Sequence, residues 1–276
     1  KGDLGVTDPA AGIETLQKLV TPHAMGRVAD GRGLADILIV RHIVEHAEDP
    51  REFLAGCAAL IGEGGYVVIE VPDCSRSLDL NDYAMVWEEH ALYLTPATTE
   101  QLLTRCGFAT ASLQVHPYPF ENSIVLVGRK SSAVTPAIPL TSPGERGRLV
   151  AYAGAFAQVT SDLRAKLARS AAQGPVAIFG AGHLACAFVN FHGLQDLVAF
   201  VVDDTPQKQS LSLPGAQKPI LPSSALTEQG VALCLLAVSP QSEDAVIARN
   251  AEFQARGGVF RSVLAASSRS IRGAFP

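Results

Sequence analysis

Short apolar runs alternate with stretches of helical period along most of the 276-residue chain. ADILIV (35–40) is brief and rich in branched residues, the pattern of a strand buried on both faces. In DPREFLAGCAALI (49–61), Phe53, Leu54, Cys57, Leu60 and Ile61 recur at helical spacing, with Asp49 as N-cap and Pro50 in the first turn. GEGG (62–65) is expected to stop that helix, and YVVIEVP (66–72) to form the next strand. TPATTEQLLTRCG (95–107) reads as a capped helix ended by Gly107. FATASLQVHPY (108–118) and NSIVLVGRK (122–130) read as a hairpin at a sheet edge. Strands alternating with helices and closing on a hairpin predict an α/β sheet with an antiparallel edge.

Residues 131–147 are rich in Ser, Pro and Thr and offer little to bury, as a linker would. A long helical pattern over 145–172 follows. A second series then begins, with strands expected at 176–179, 198–202, 232–238 and 259–264 and helices near 183–192 and 240–256. The expected fold is α/β with two Rossmann-like units: residues 1–132, a linker at 133–149, and residues 150–276.

Composition narrows the function classes. A net charge of -5, with Lys and Arg scattered, lacks the basic footprint of a nucleic-acid binder. VALCLLAV (231–238) is of strand length, and no run approaches a membrane span. The first residues show no secretory leader pattern. Five widely spaced cysteines form no C-x-x-C pair, so they read as buried thiols in a reducing, cytoplasmic compartment.

RHIVEHAEDP (41–50) contains H-x-x-E-H, which on a helix would put two histidines on one metal ion. Here the strand 35–40 runs directly into His42, and Asp49-Pro50 starts a new helix. No helix long enough to hold both rings remains, and no metal is expected. Arg41 and His42 instead stand at the carboxyl end of a strand, where open α/β sheets bind ligands. Glu45 and His46 read as helix entry.

Residues 35–73, from ADILIV through the D-P helix start to YVVIEVPD, resemble the fourth strand, helix and fifth strand of class I methyltransferases. That family uses S-adenosylmethionine. DYAMVWEEHALYLTP (82–96) is similar to the EH-x-x-Y-F-S/T segment of sugar C-methyltransferases, which act on nucleotide-linked keto-sugars. The stretches 177–194 and 198–221, AIFGAGHLACAFVNFHGL and VAFVVDDTPQKQSLSLPGAQKPIL, resemble the C-terminal domain of the same enzymes. The family's cysteine cluster for zinc is not seen, nor is its first strand with the E/D-x-G-x-G loop. The resemblance therefore implies a C-terminal portion of a methyltransferase, with the first sheet incomplete.

The resemblance implies carbon methylation next to a ketone, which requires a base for the α-proton. His90 suits that role because its ordinary pKa lies near working pH. Glu89 would orient its ring, and Tyr93 would hydrogen-bond the keto oxygen or a sugar hydroxyl. Asp8, Arg41 and His42 are the cofactor candidates. Trp87, where the family often has Tyr, is a substrate candidate with Tyr83, His116 and Asn122, and so are Gly180, Gly182 and His183. Each histidine could equally be a surface or capping residue, and Trp87 ordinary packing.

GAGHLA (180–185), followed by Asp203 and Asp204, also fits a dinucleotide-binding turn. Two alternatives therefore stand beside the methyltransferase: an NAD-dependent oxidoreductase or nucleotide-sugar binder, and a non-catalytic remnant. No Tyr-x-x-x-Lys or catalytic Cys downstream completes a dehydrogenase.

Overall fold

Helix starts are set by local chemistry in this protein. The computed structural model describes residues 16, 18–131 and 143–273. Helix α1 (Pro22–Arg32) is capped by the Thr21 hydroxyl and precedes strand β1 (Ala35–Arg41). In α2 (Pro50–Leu60), the Asp49 carboxylate accepts from the N–H groups of Arg51 and Glu52 at 2.9 and 3.0 Å. Strand β2 (Ile61–Asp73) and the short helix α3 (Ser75–Leu80) follow. A Thr95–Thr98 capping box opens α4 (Pro96–Arg105), and Gly107, at φ +85°, ends it as expected. β3 (Phe108–His116) and β4 (Asn122–Lys130) are the expected hairpin; a link of residues 117–121 leaves room only for an antiparallel return.

The long helix α5 (Pro143–Ala171) leads into β5 (Val176–Phe179), α6 (His183–Phe191), β6 (Phe200–Val202) and β7 (Ile220–Leu221). Then come α7 (Ala225–Glu228), β8 (Leu233–Leu236), α8 (Pro240–Arg249), α9 (Ala251–Ala255) and β9 (Val259–Ser262). The helix expected over 240–256 is broken at Asn250.

These elements fall into two compact units. One comprises described residues of Lys1–Pro72, Leu94–Val115 and Ile124–Leu140; the other comprises those of Asp73–Tyr93, His116–Ser123 and Thr141–Pro276. The units thus interleave along the chain, unlike the contiguous spans 1–132 and 150–276. The cause is apolar: Tyr83, Ala84 and Met85 are buried in the same cluster as Val159, Leu163 and Leu167 of α5.

The first unit holds a sheet of order β1-β2-β4-β3, with β1 and β2 parallel. Leu54, Ile61, Val67, Ile69, Leu103, Ile124 and Leu126 are fully buried in it. Two expectations fail here. GEGG does not separate helix from strand; it lies inside β2, where the register with β1 shifts between Ala35 and Ile37. A Cβ on Gly65 would meet Asp36 O at 2.9 Å, so this irregular pairing depends on glycine. ADILIV is also not buried on both faces: β1 is an edge strand among the described residues, and Ile37 and Ile39 are about 60% exposed.

The second unit holds a parallel sheet of order β7-β6-β5-β8-β9. Its strands are continuous apolar runs because both faces are covered. Val176, Ile178, Val201, Leu233 and Leu235 share one cluster with α5 and α6. Ala177, Phe179, Phe200, Cys234 and Leu236 pack with Val246 and Phe253 on the other. The chain runs outward from β5 through β6 and β7, then returns to β8 on the opposite side. The carboxyl end of β5 is thus a topological switch point, and the G-A-G turn sits there.

Candidate functional site

In the second unit, residues 86–93 form an irregular turn rather than a strand. His90 N–H donates to Trp87 O at 3.2 Å. The Tyr93 hydroxyl accepts from Trp87 N–H and donates to Trp87 O, both at 2.9 Å. The His90 ring, half-buried, lies 6.1 Å from the rings of both Trp87 and Tyr93. Burial raises the Tyr93 pKa, with the Trp87 contact opposing and Cys74, Glu121 and Glu88 adding to it. A cavity of about 140 Å³ is walled by this same turn, through Val86 and Tyr93, together with Cys74, Met85, Leu149 and Tyr152.

The neighbouring carboxylates divide their work. Glu89 is exposed. Glu88, which the sequence did not single out, places Oε2 2.8 Å from His183 Nδ1. His183 Nε2 lies 3.0 Å from Val86 O, and its ring stacks on Trp87 at 3.8 Å and 8°. Val86 and His183 are 97 residues apart, so no local pattern could reveal these contacts.

The G-A-G turn is built as a phosphate-binding turn would be, yet its polar groups are engaged. Gly180 has φ +103°, and a Cβ there would meet Ala237 O at 2.7 Å. Gly182 is the N-cap of α6. The Asp203 carboxylate accepts from Ala181 N–H (2.9 Å), Thr205 N–H (2.9 Å) and Lys208 Nζ (3.0 Å). Burial alone would raise its pKa; these donors win and hold it at about 2. Three of roughly four lone-pair directions are therefore filled on the carboxylate a dinucleotide would need for its ribose.

Tyr83, expected against substrate, is instead a core residue. It is 6% exposed, its hydroxyl donates to Tyr152 O at 2.5 Å, and its ring packs on Tyr152 and Phe156. His116 is exposed at the end of β3. Asn122 ties down the hairpin tip, with Oδ1 accepting from Tyr118 N–H at 3.3 Å and Nδ2 3.5 Å from Asp73 Oδ2. Arg76 donates to the carbonyls of Tyr118, Pro119 and Phe120 in the same tip.

In the first unit, Arg41 and His42 end β1 as expected. His42 N–H continues the ladder to Glu70 O, and its φ of +50° turns the chain out of the sheet. Only a 3₁₀ turn (Val44–His46) follows, so His42 and His46 share no α-helix. Glu70, opposite Arg41 in the β1–β2 register, pairs with Arg41 Nε at 2.5 Å and lies 3.6 Å from His42 Nε2. Glu45 is 2% exposed, with Oε1 3.4 Å from His42 Nδ1 and Oε2 lacking a hydrogen-bond partner among the described residues. A buried carboxylate oxygen of this kind fits a cationic group such as a sulfonium or ammonium. Asp8 lies outside the described residues.

The cysteines bear out the thiol reading in part. None of the five is in a disulfide; Cys57, Cys74 and Cys234 are buried, while Cys106 and Cys186 are half-buried. Burial raises the Cys57 thiol to about 12.

Residues 7–113 match a family described as a methyltransferase domain. Residues 145–264 match the C-methyltransferase C-terminal domain. The chain is thus similar to methyltransferase domains in its first part and to the C-terminal domain of C-methyltransferases in its second. The cofactor these matches imply is S-adenosylmethionine. The C-methyltransferase NovU of Streptomyces niveus is 28% identical over 263 residues, 90% of this chain and 62% of NovU. The chain thus spans about three-fifths of that curated relative's length. A ubiquinone biosynthesis O-methyltransferase of Caulobacter sp. (strain K31) is 33% identical over 72 residues, 26% of this chain and 28% of its own. A solved SAM-dependent methyltransferase from Archaeoglobus fulgidus, 16% identical, covers 44% of this chain and 69% of its own, with a TM-score of 0.33, too low to define a shared fold. No helix among the described residues is long and apolar enough to cross a membrane.

Proposed function

We propose that the protein methylates carbon next to the ketone of a nucleotide-linked keto-sugar, using S-adenosylmethionine. The observation that carries this is the Trp87–Tyr93 turn, which presents His90 from the same compact unit as the C-methyltransferase C-terminal domain. In this reading the cofactor supplies an electrophilic methyl group. Arg41, His42 and Glu45, at the carboxyl edge of β1, are the residues that would hold it, with Asp8 proposed for its ribose. Glu70 offsets the positive charge of Arg41, and Glu45, whose Oε2 has no hydrogen-bond partner among the described residues, suits a cationic ligand.

His90 takes the α-proton of the sugar. Glu89, exposed and adjacent to His90 in the chain, is assigned to orient the ring. Tyr93 keeps one lone pair beyond its two contacts with Trp87, so it is suited to accept from a sugar hydroxyl. Donating to the keto oxygen would require releasing Trp87 O. His116 and Asn122 are assigned to the substrate at the hairpin tip, and the cavity beside Tyr93 offers an apolar surface for it.

Calorimetry on the full-length protein separates this reading from its rivals. S-adenosylhomocysteine and a nucleotide-linked sugar should each bind, and NADH should not. NADH binding without S-adenosylhomocysteine binding would favour an oxidoreductase. The filled hydrogen bonds of Asp203 argue against that outcome.

A further inference from the structure

Trp87 is the single tryptophan of the chain, and one face of it is covered by His183. His183 is the first residue of α6, placed by the Gly180–Gly182 turn. Its ring makes three contacts with three consecutive residues: Val86 O at 3.0 Å, the Trp87 ring at 3.8 Å and Glu88 Oε2 at 2.8 Å. Both ring nitrogens therefore face oxygen acceptors, and the stack fixes the plane of the ring. The His183 side chain is only 15% exposed, although Glu88 is 73% exposed. From the other direction, the Tyr93 hydroxyl holds both backbone groups of Trp87. His90 hangs on this frame, its N–H bonded to Trp87 O.

We propose that His183 is a positioning residue that fixes the turn bearing His90. A glycine turn at the switch point of a parallel sheet has the shape to receive a ligand's phosphate. Here the residue that follows it, His183, holds the chain's own Val86–Glu88 segment. The second sheet thereby acts as a rigid bracket for a segment with no regular hydrogen bonding of its own, and rigid support of a reacting group is a condition for fast chemistry. The catalytic consequence rests on the proposed role of His90; the bracket itself does not.

The test uses Trp87 as its own reporter in the full-length protein. His183→Ala should raise acrylamide quenching of Trp87, while far-UV circular dichroism stays unchanged. His183→Phe, which keeps a flat ring against the indole, should restore most of the protection. With a nucleotide-linked keto-sugar as substrate, His183→Ala should lower kcat by about 10- to 100-fold while leaving KM unchanged, the signature of a misplaced reacting group. Unchanged quenching in His183→Ala would overturn the bracket. Raised quenching with unchanged kcat would overturn its positioning role. If His183→Ala fails to fold, His183→Asn, which removes the ring stacked on Trp87 but keeps a polar side chain, carries the same comparison against His183→Phe. A wild-type kcat in His90→Gln would remove His90 as the base, yet the quenching measurement would still decide the bracket.

Discussion

At the scale of residues, a base is distinguished from a binding group by what its loss spares. His90→Gln keeps a hydrogen-bonding side chain of similar reach but cannot take a proton near neutral pH. It should reduce methyl transfer by at least about 100-fold with S-adenosylhomocysteine affinity unchanged, as measured by turnover and calorimetry. A second histidine gives a different, purely structural signal. His192 is 4% exposed, its Nδ1 lies 2.7 Å from the Thr160 hydroxyl, and burial, with Arg272 adding to it, lowers its pKa from 6.5 to about 4. Its unfolded form takes up a proton that the folded form refuses. Stability should therefore be full above about pH 6.5 and decline toward pH 4, levelling off below, with a total loss of at most about 3 kcal/mol. Urea titrations across that range should show the decline, and His192→Gln should flatten it. His90 can be proposed from sequence because the segment WEEHALYLT carries a motif in consecutive residues. Glu88–His183 and Glu70–Arg41 cannot, because each pairing is created by strands and turns that bring distant residues together.

At the scale of elements, caps and apolar period account for most of what the sequence foretold. Asp49-Pro50 and Thr95-Pro96 start their helices where expected, and four of the five strands of the parallel sheet fall within two residues of the expected runs, while the two-residue β7 (Ile220–Leu221) has no such run. Two departures share a cause: glycines 62–65 lie inside a strand instead of ending an element, and the branched residues of 35–40 form, among the described residues, an exposed edge strand instead of one buried on both faces. Whether glycine stops an element or sits inside a bulged strand depends on the neighbouring strand. Burial depends on sheet position, and both are tertiary facts. Gly180 is the element-scale glycine with the strictest requirement. Gly180→Ala faces both a φ of +103° and a 2.7 Å contact with Ala237 O, so it should destabilise by about 2 kcal/mol or more. Thermal unfolding would show this as a lowered Tm, accompanied by weaker protection of Trp87 as the turn shifts.

At the scale of the molecule, the chain interleaves two compact units, each with its own sheet and core. The core of the second is anchored on α5, where Leu167 is fully buried between the helix and the sheet cluster. Leu167→Ala should cost about 2–5 kcal/mol by chemical denaturation, since little around it can close the cavity. The two-sheet α/β architecture was readable from alternating runs alone. The interleaving was not, because residues 73–93 and 116–123 carry no boundary signal and are recruited by apolar contacts made only in the fold. Residues 86–93, which carry the proposed base, belong to one of these recruited segments. The account's central claim is that this segment serves carbon methylation, and the position of the transferred methyl tests it most directly. The full-length protein, given methyl-¹³C-labelled S-adenosylmethionine and a nucleotide-linked keto-sugar, should place the label on the carbon next to the carbonyl by NMR, and His90→Gln should place none. Label on oxygen, or transfer to carbon undiminished in His90→Gln, would contradict it.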